Sequence, residues 1–162
     1  MPGRRTHQLV GTATGTVYAA YRAGNQNPRD RLLETAGGAV GGYLGSTFAD
    51  YLEPAISSWH RGPAHSGGTG AMVLLLVDQL FKWEAFCREK AKECAAIPMV
   101  PAINPQGTVF VPAQLSPLVQ LFNTIAELFW RFLAGVPNGF ATSYLSHLAL
   151  DAATPRCIPL LP

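Results

Sequence analysis

Charge is scarce in this chain: Asp, Glu, Lys and Arg make up 14% of its 162 residues, against about a quarter in an ordinary soluble domain. The net charge is +2, and no basic-aromatic patch accompanies it, so no nucleic acid is expected as a partner. Cysteine is scarce as well. Cys87, Cys94 and Cys157 form an odd set without a C-x-x-C pair, which argues against a disulfide framework and for a reducing compartment. Long apolar runs are missing. The longest, Ala71 to Val77, stops at Asp78, whereas a membrane span needs ~20 mostly apolar residues. No compact apolar stretch follows Arg4 and Arg5, which makes the start a poor signal peptide. Arginines on both sides of the first helical segment (Arg4, Arg5; Arg22, Arg29, Arg31) disfavour its crossing a membrane.

Apolar residues, by contrast, make up 48%, with 16 Gly and 13 Pro as punctuation. This excludes a disordered or charge-driven protein, and the length suits one domain, 1–162. The periodicity predicts an all-α fold, a single compact bundle of about five helices. They are placed at about 7–22, 30–51, 69–95, 115–134 and 138–152. Thr6 is a candidate cap for the first, and Gly135-Val136-Pro137 separates the last two. The stretch 97–114 holds Pro98, Pro101, Pro105, Gly107 and Pro112 and reads as a long loop, with Thr108–Val111 as a short extended piece. Gly11 and Gly15, then Gly37, Gly41 and Gly45, recur every four residues. Each glycine costs ~1 kcal/mol of helix propensity. Close approach of two helix backbones explains that expense better than a loose Gly-rich segment does.

Four histidines carry what chemistry the chain has: His7, His60, His65 and His147. His147 and Asp151, four apart on a helix, share a face and can hold one cation between them. If the first two helices are antiparallel about the 23–29 turn, His7 and Asp50 lie ~24 and ~30 Å from it, at the same end. The His60/His65 segment follows at that end. His147 reaches it only if the 97–114 segment crosses back, a retracing of ~40 Å for which eighteen extended residues (up to ~60 Å) suffice. Any one histidine is more often a hydrogen-bonded core or surface residue than a ligand, and neither His-x4-His nor His-x3-Asp is specific alone. The combination carries the weight, since no histidine is left over. Ser66-Gly67-Gly68-Thr69-Gly70 lacks the lysine of a phosphate loop and reads as a flexible approach to a helix. Gln120, Asn123, Glu127 and Arg131 form one polar stripe, with Glu127 and Arg131 spaced to pair. Lys82, Arg88, Lys90 and Lys92 read as a solvated face, and Cys87 and Cys94 as buried thiols.

At these residues the sequence resembles the YdjM family of bacterial membrane-associated, metal-dependent hydrolases. The resemblance is carried, in order, by Thr6-His7 with Gly11, by Ala49-Asp50-Tyr51-Leu52-Glu53-Pro54, by His60-Arg61-Gly62-Pro63-Ala64-His65-Ser66, and by Tyr144-Leu145-Ser146-His147-Leu148-Ala149-Leu150-Asp151. Where the family has Pro-Asp-x-Asp-His-Pro, this chain has Leu52 for the second aspartate and Glu53 for the histidine. Glu53 can replace a ligand; Leu52 cannot. The family is distantly similar to helical zinc-dependent phospholipases C and single-strand nucleases, which implies phosphoester hydrolysis. The residues and the resemblance together give one or two divalent ions, zinc first, on His7, Asp50, His60, His65, His147 and Asp151. On that reading Asp50 or Asp151 bridges the ions or orients the attacking water, Glu53 is a substitute ligand or the general base, and Arg61 neutralises a phosphate oxygen. The expected substrate is a small-molecule or lipid phosphoester, at a membrane surface or free. The expected location is the cytoplasm or the inner membrane. The competing class is a non-catalytic helical protein, binding a membrane or partner, whose His/Asp cluster holds a structural metal.

Overall fold

A computed structural model describes residues 3–52, 66–105 and 107–153. In chain order these form α1 (Arg4–Arg22), α2 (Pro28–Leu52), α3 (Gly67–Leu75), α4 (Val77–Ala95), β1 (Met99–Asn104), β2 (Gly107–Pro112) and α5 (Pro117–Ala152). The result is a compact, mostly all-α bundle with one small hairpin. Polar side chains set the helix starts. Asn27 Oδ1 accepts from the Asp30 amide at 3.0 Å, and Pro28 opens α2 where a missing N–H costs nothing. Ser66 Oγ accepts from Thr69 N ahead of α3, and Ser116 Oγ from Val119 N ahead of α5. The Ser66 segment is thus a capped helix start. Helix α1 begins three residues before its expected start, after Gly3 instead of at a Thr6 cap.

Three expectations are corrected. The 97–114 stretch is no crossover loop. It is an antiparallel hairpin with Met99 opposite Pro112 and Asn104 opposite Gly107. Its β-branched and aromatic residues favour extension, and a two-stranded ribbon has only edges, where proline is tolerated. Gly107, at φ 128°, takes a backbone conformation closed to most side chains and lets the chain reverse. The expected third helix is two, α3 and α4, meeting at Leu76. The expected fourth and fifth helices are one: α5 runs 36 residues straight through Pro137, a length of ~54 Å.

Why α5 does not stop at Gly135-Val136-Pro137 is visible in its packing against α2. A Cβ at Gly135 would fall on the carbonyl oxygen of Glu34, and one at Gly139 on that of Gly38. The backbones touch on both sides of Pro137, and this contact outweighs the helix bond that proline removes. Helix α2 uses its glycines on two faces. Gly37, Gly41 and Gly45 meet Phe132, Val136 and Phe140 of α5, while Gly38 and Gly42 meet Gly11, Gly15 and Ala19 of α1. The four-residue spacing therefore means close helix approach, as its period implied. Helix α4 lies along α5, and Gly70 of α3 approaches Leu148 near the end of α5.

The interior so formed is built from small residues: Ala19, Ala23, Ala49, Ala91, Ala134 and Ala141 are buried, with Tyr144 and Leu148 the large apolar exceptions. Many large apolar side chains point outward, among them Leu9, Val17, Tyr21, Leu32, Leu75, Ile103 and Phe110. Small residues inside and large ones outside is the distribution of helices packed in lipid. No helix among the described residues is long and apolar enough to cross a membrane.

Candidate metal centre

Where α1 begins and α2 and α5 end, four side chains meet. The rings of His7 and His147 lie 4.1 Å apart between centroids, tilted by 31°. Asp151 reaches both: Oδ1 is 3.5 Å from His7 Nε2 and Oδ2 is 3.5 Å from His147 Nε2. Asp50 Oδ1 lies 3.7 Å from the same His147 nitrogen. His7, His147 and Asp151 are buried, whereas the Asp50 side chain keeps 28% of its exposure and forms the solvent edge.

The other ring nitrogen of His147 fixes its role. Nδ1 stands 2.7 Å from the carbonyl oxygen of Ser46, inside α2. A carbonyl only accepts, so Nδ1 donates and Nε2 is left as the nitrogen that faces Asp151 and Asp50. Metal-bound histidines are held in this way, with the far nitrogen donating to a carbonyl or carboxylate.

The donor set also fits a cation in size and charge. Ligand atoms of His7, His147 and Asp151 can all be chosen within 4.8 Å of one another. His7 and His147 each stand 3.5 Å from a different oxygen of Asp151, and Asp50 meets His147 alone at 3.7 Å; donors about a tetrahedral zinc stand ~3.3–3.4 Å apart. With neutral imidazoles the two carboxylates give these four side chains a charge of −2, which a divalent ion balances. Imidazole and carboxylate donors together suit several divalent metals.

Of the residues picked from sequence, the structure therefore brings together His7, Asp50, His147 and Asp151. Glu53, His60, Arg61 and His65 lie outside the described residues. The route differs from the expected one. Because α5 is unbroken and antiparallel to α4, its C-terminal end simply returns to the site, and no crossing segment is needed. Ser46 is the residue that sequence reading missed. Its contribution is a backbone carbonyl, for which sequence carries no signal beyond the neighbouring small residues Gly42 and Gly45.

A second polar cluster lies toward the opposite end of the bundle, ~20–30 Å along α5 from Asp151. Arg88 places its guanidinium on Glu34 (Nη2–Oε2 2.6 Å) and on Glu84 (Nη1–Oε1 2.6 Å). Arg22 and Asn138 also reach Glu84, and Arg131 reaches Asp30 at 2.9 Å. Burial alone would lower the Arg88 pKa, but its hydrogen bond to Glu34 and the charges of Glu34 and Glu84 raise it. Arg88 is thus no part of a solvated face. Glu127 also departs from the expected pairing, binding Arg29 at 3.1 Å in place of Arg131. Cys87 is fully buried beside this cluster, and Cys94 is half-buried.

A family model described as YdjM inner membrane protein matches residues 1–162. No curated protein and no solved structure matches the chain.

Proposed function

The chain belongs to the YdjM inner membrane protein family, and we propose that it is a metal-dependent phosphoester hydrolase working at the inner membrane. The observation that carries this reading is the His147 ring. One nitrogen is tied to Ser46, and the other is turned toward two carboxylates beside a second imidazole. His7, His147 and Asp151 would hold a divalent ion, zinc first, with Asp50 completing the set or serving as base. A bound ion would supply Lewis acidity toward a phosphoryl oxygen and acidify water near neutral pH.

The chain's own residues divide the remaining work. His147, oriented by Ser46, presents Nε2 to the cluster. Asp151 spans the two imidazoles and holds them in one geometry. Asp50, at the solvent edge, orients the attacking water and takes its proton as the new P–O bond forms and the ester P–O bond breaks; the departing alkoxide takes a proton from solvent. Arg61 and Glu53 enter on sequence alone, Arg61 as the neutraliser of a phosphate oxygen and Glu53 as a further base or ligand. His60 and His65 would complete a second ion's coordination.

One observation favours the competing reading, a structural cation in a non-catalytic protein: three of the four assembled side chains are closed to solvent. Hydrolysis of bis-p-nitrophenyl phosphate separates the two. The hydrolase reading expects turnover that a chelator abolishes and zinc restores, and that Asp50→Asn lowers by about a hundredfold or more. Stoichiometric metal with no turnover on any phosphoester assigns the cluster a structural role.

A further inference from the structure

Gln120, Asn123 and Glu127, three members of the polar stripe on α5, line a cleft of about 250 Å³ together with Thr124. Their spacing puts all four on one helix face. The C-terminal end of α4 forms the opposite wall, and Ile97, Ala113 and Leu115 line the side next to the hairpin. The hairpin base is closed there by the Ala113 amide, which donates to the Pro98 carbonyl at 2.7 Å.

The cleft is rich in acceptors because its donors are spent elsewhere. Gln120 Nε2 donates to the Leu115 carbonyl and Thr124 Oγ1 to the Gln120 carbonyl, each at 2.9 Å. Gln120 Oε1 and the Thr124 oxygen keep lone pairs. Glu127 accepts from Arg29 at 3.1 and 3.3 Å, yet a carboxylate offers about four lone-pair sites, so acceptor capacity is left over. Across the cleft, the Ala96 amide makes the last bond of α4, to the Lys92 carbonyl at 2.9 Å. The carbonyls of Glu93, Cys94 and Ala95 therefore have no partner within the helix, and this end is the negative pole of the helix dipole. The Asn123 amide makes no side-chain hydrogen bond among the described residues.

An anion placed here would meet lone pairs and a negative pole, whereas a positive centre that donates hydrogen bonds is matched. The lining also grades from polar to apolar. Glu127 stands at one end of the face, ~10 Å along α5 from Gln120, beside which Leu115 and the other apolar residues lie. A cavity of ~150 Å³ holds benzene, so about 250 Å³ takes roughly ten non-hydrogen atoms. We propose that this cleft binds a small primary ammonium with a short apolar body. The charged head sits between Glu127 and the last carbonyls of α4, and the body lies against Ile97, Ala113 and Leu115. A zwitterionic lipid headgroup fits less well, because its phosphate would lie against the same acceptors. The cleft is ~36 Å along α5 from Asp151, and the inference is independent of the hydrolase reading.

The test is calorimetric titration of the full chain with hexylamine, hexanol, hexanoate and glycerophosphoethanolamine. Hexylamine should saturate a single site and bind at least about ten-fold more tightly than each of the other three. Glu127→Gln should weaken hexylamine binding about ten-fold or more, and Ala95→Phe, which fills the cleft without changing a charge, should do the same. Arg29→Gln should strengthen it, since Glu127 then keeps its full charge; a purely structural Arg29–Glu127 pair predicts no gain. Each variant is compared at unchanged helical signal and melt, and if Glu127→Gln fails to fold, Arg29→Gln and Ala95→Phe decide. The proposal is overturned by an absence of saturable hexylamine binding, by hexanol or hexanoate binding as tightly, or by an affinity that these variants leave unchanged. Tighter binding of glycerophosphoethanolamine than of hexylamine also overturns it, and assigns the cleft to a lipid headgroup.

Discussion

Replacing Gly139 by alanine tests whether backbone contact between α2 and α5 holds the bundle together. On a free helix surface the change stabilises by ~1 kcal/mol through propensity. Here the added methyl would meet the oxygen, carbonyl carbon and Cα of Gly38, all backbone and unable to rotate away. The helices must separate by roughly an ångström, and such overpacking costs ~1–3 kcal/mol, occasionally more. Net of the propensity gain, the expectation is destabilisation of up to about 2 kcal/mol, opposite in sign to the propensity effect. Gly139 is eight residues from His147, so the same displacement should also pull the imidazole away from Ser46 and weaken metal binding. Thermal unfolding followed by far-ultraviolet circular dichroism reads the first effect, and zinc titration reads the second. A midpoint raised above the parent's would refute the close-packing argument.

Two further substitutions probe the other end of the bundle. Arg88→Met leaves Glu34 and Glu84 buried without their shared cation, and should cost about 3–5 kcal/mol in denaturant unfolding; a loss below ~1 kcal/mol would mean that Arg22, Arg131 and Asn138 suffice without it. Burial, then the charge of Glu34, pushes the Cys87 thiol from 9.0 up to about 11. A raised folded-state pKa means that the folded chain holds this proton more tightly than the unfolded chain does. The associated stability is present below pH ~9 and is lost as pH rises toward ~11. The melting midpoint should fall across that interval in the parent and fall less in Cys87→Ala. Peptide mapping after alkylation at pH 8 should find Cys94 modified ahead of Cys87; the reverse order would contradict the burial of Cys87.

How much of this was readable from sequence depends on the range of the forces involved. The i, i+4 pair of His147 and Asp151 was legible because helix geometry alone puts both on one face. So was the glycine period, since nothing but close approach repays so many poor helix formers at fixed spacing. The continuity of α5 was not. Gly135-Val136-Pro137 is a stop signal by local rules, and only the α2 backbone lying against Gly135 and Gly139 overrides it. The error spread from there. With a false turn at 135–137, His147 reached the site only by a crossover, and the 97–114 segment was given that task when its β-branched residues make a hairpin. Arg88 looked solvated because its partners, Glu34 and Glu84, sit on two helices, one of them 54 residues away. Ser46 had no signal because a main-chain carbonyl is common to every residue.

The central claim is that α1 and α5 deliver His7, His147 and Asp151 to one cation, with Asp50 of α2 beside His147 at its edge. Zinc titration of the purified parent, His7→Ala, His147→Ala and Asp151→Asn, each confirmed folded by circular dichroism, tests it most directly. The account predicts at least one tightly held ion per parent chain, and an affinity lower by at least about a hundredfold in each variant. A parent that binds no divalent ion, or variants that bind it as tightly as the parent does, would contradict it.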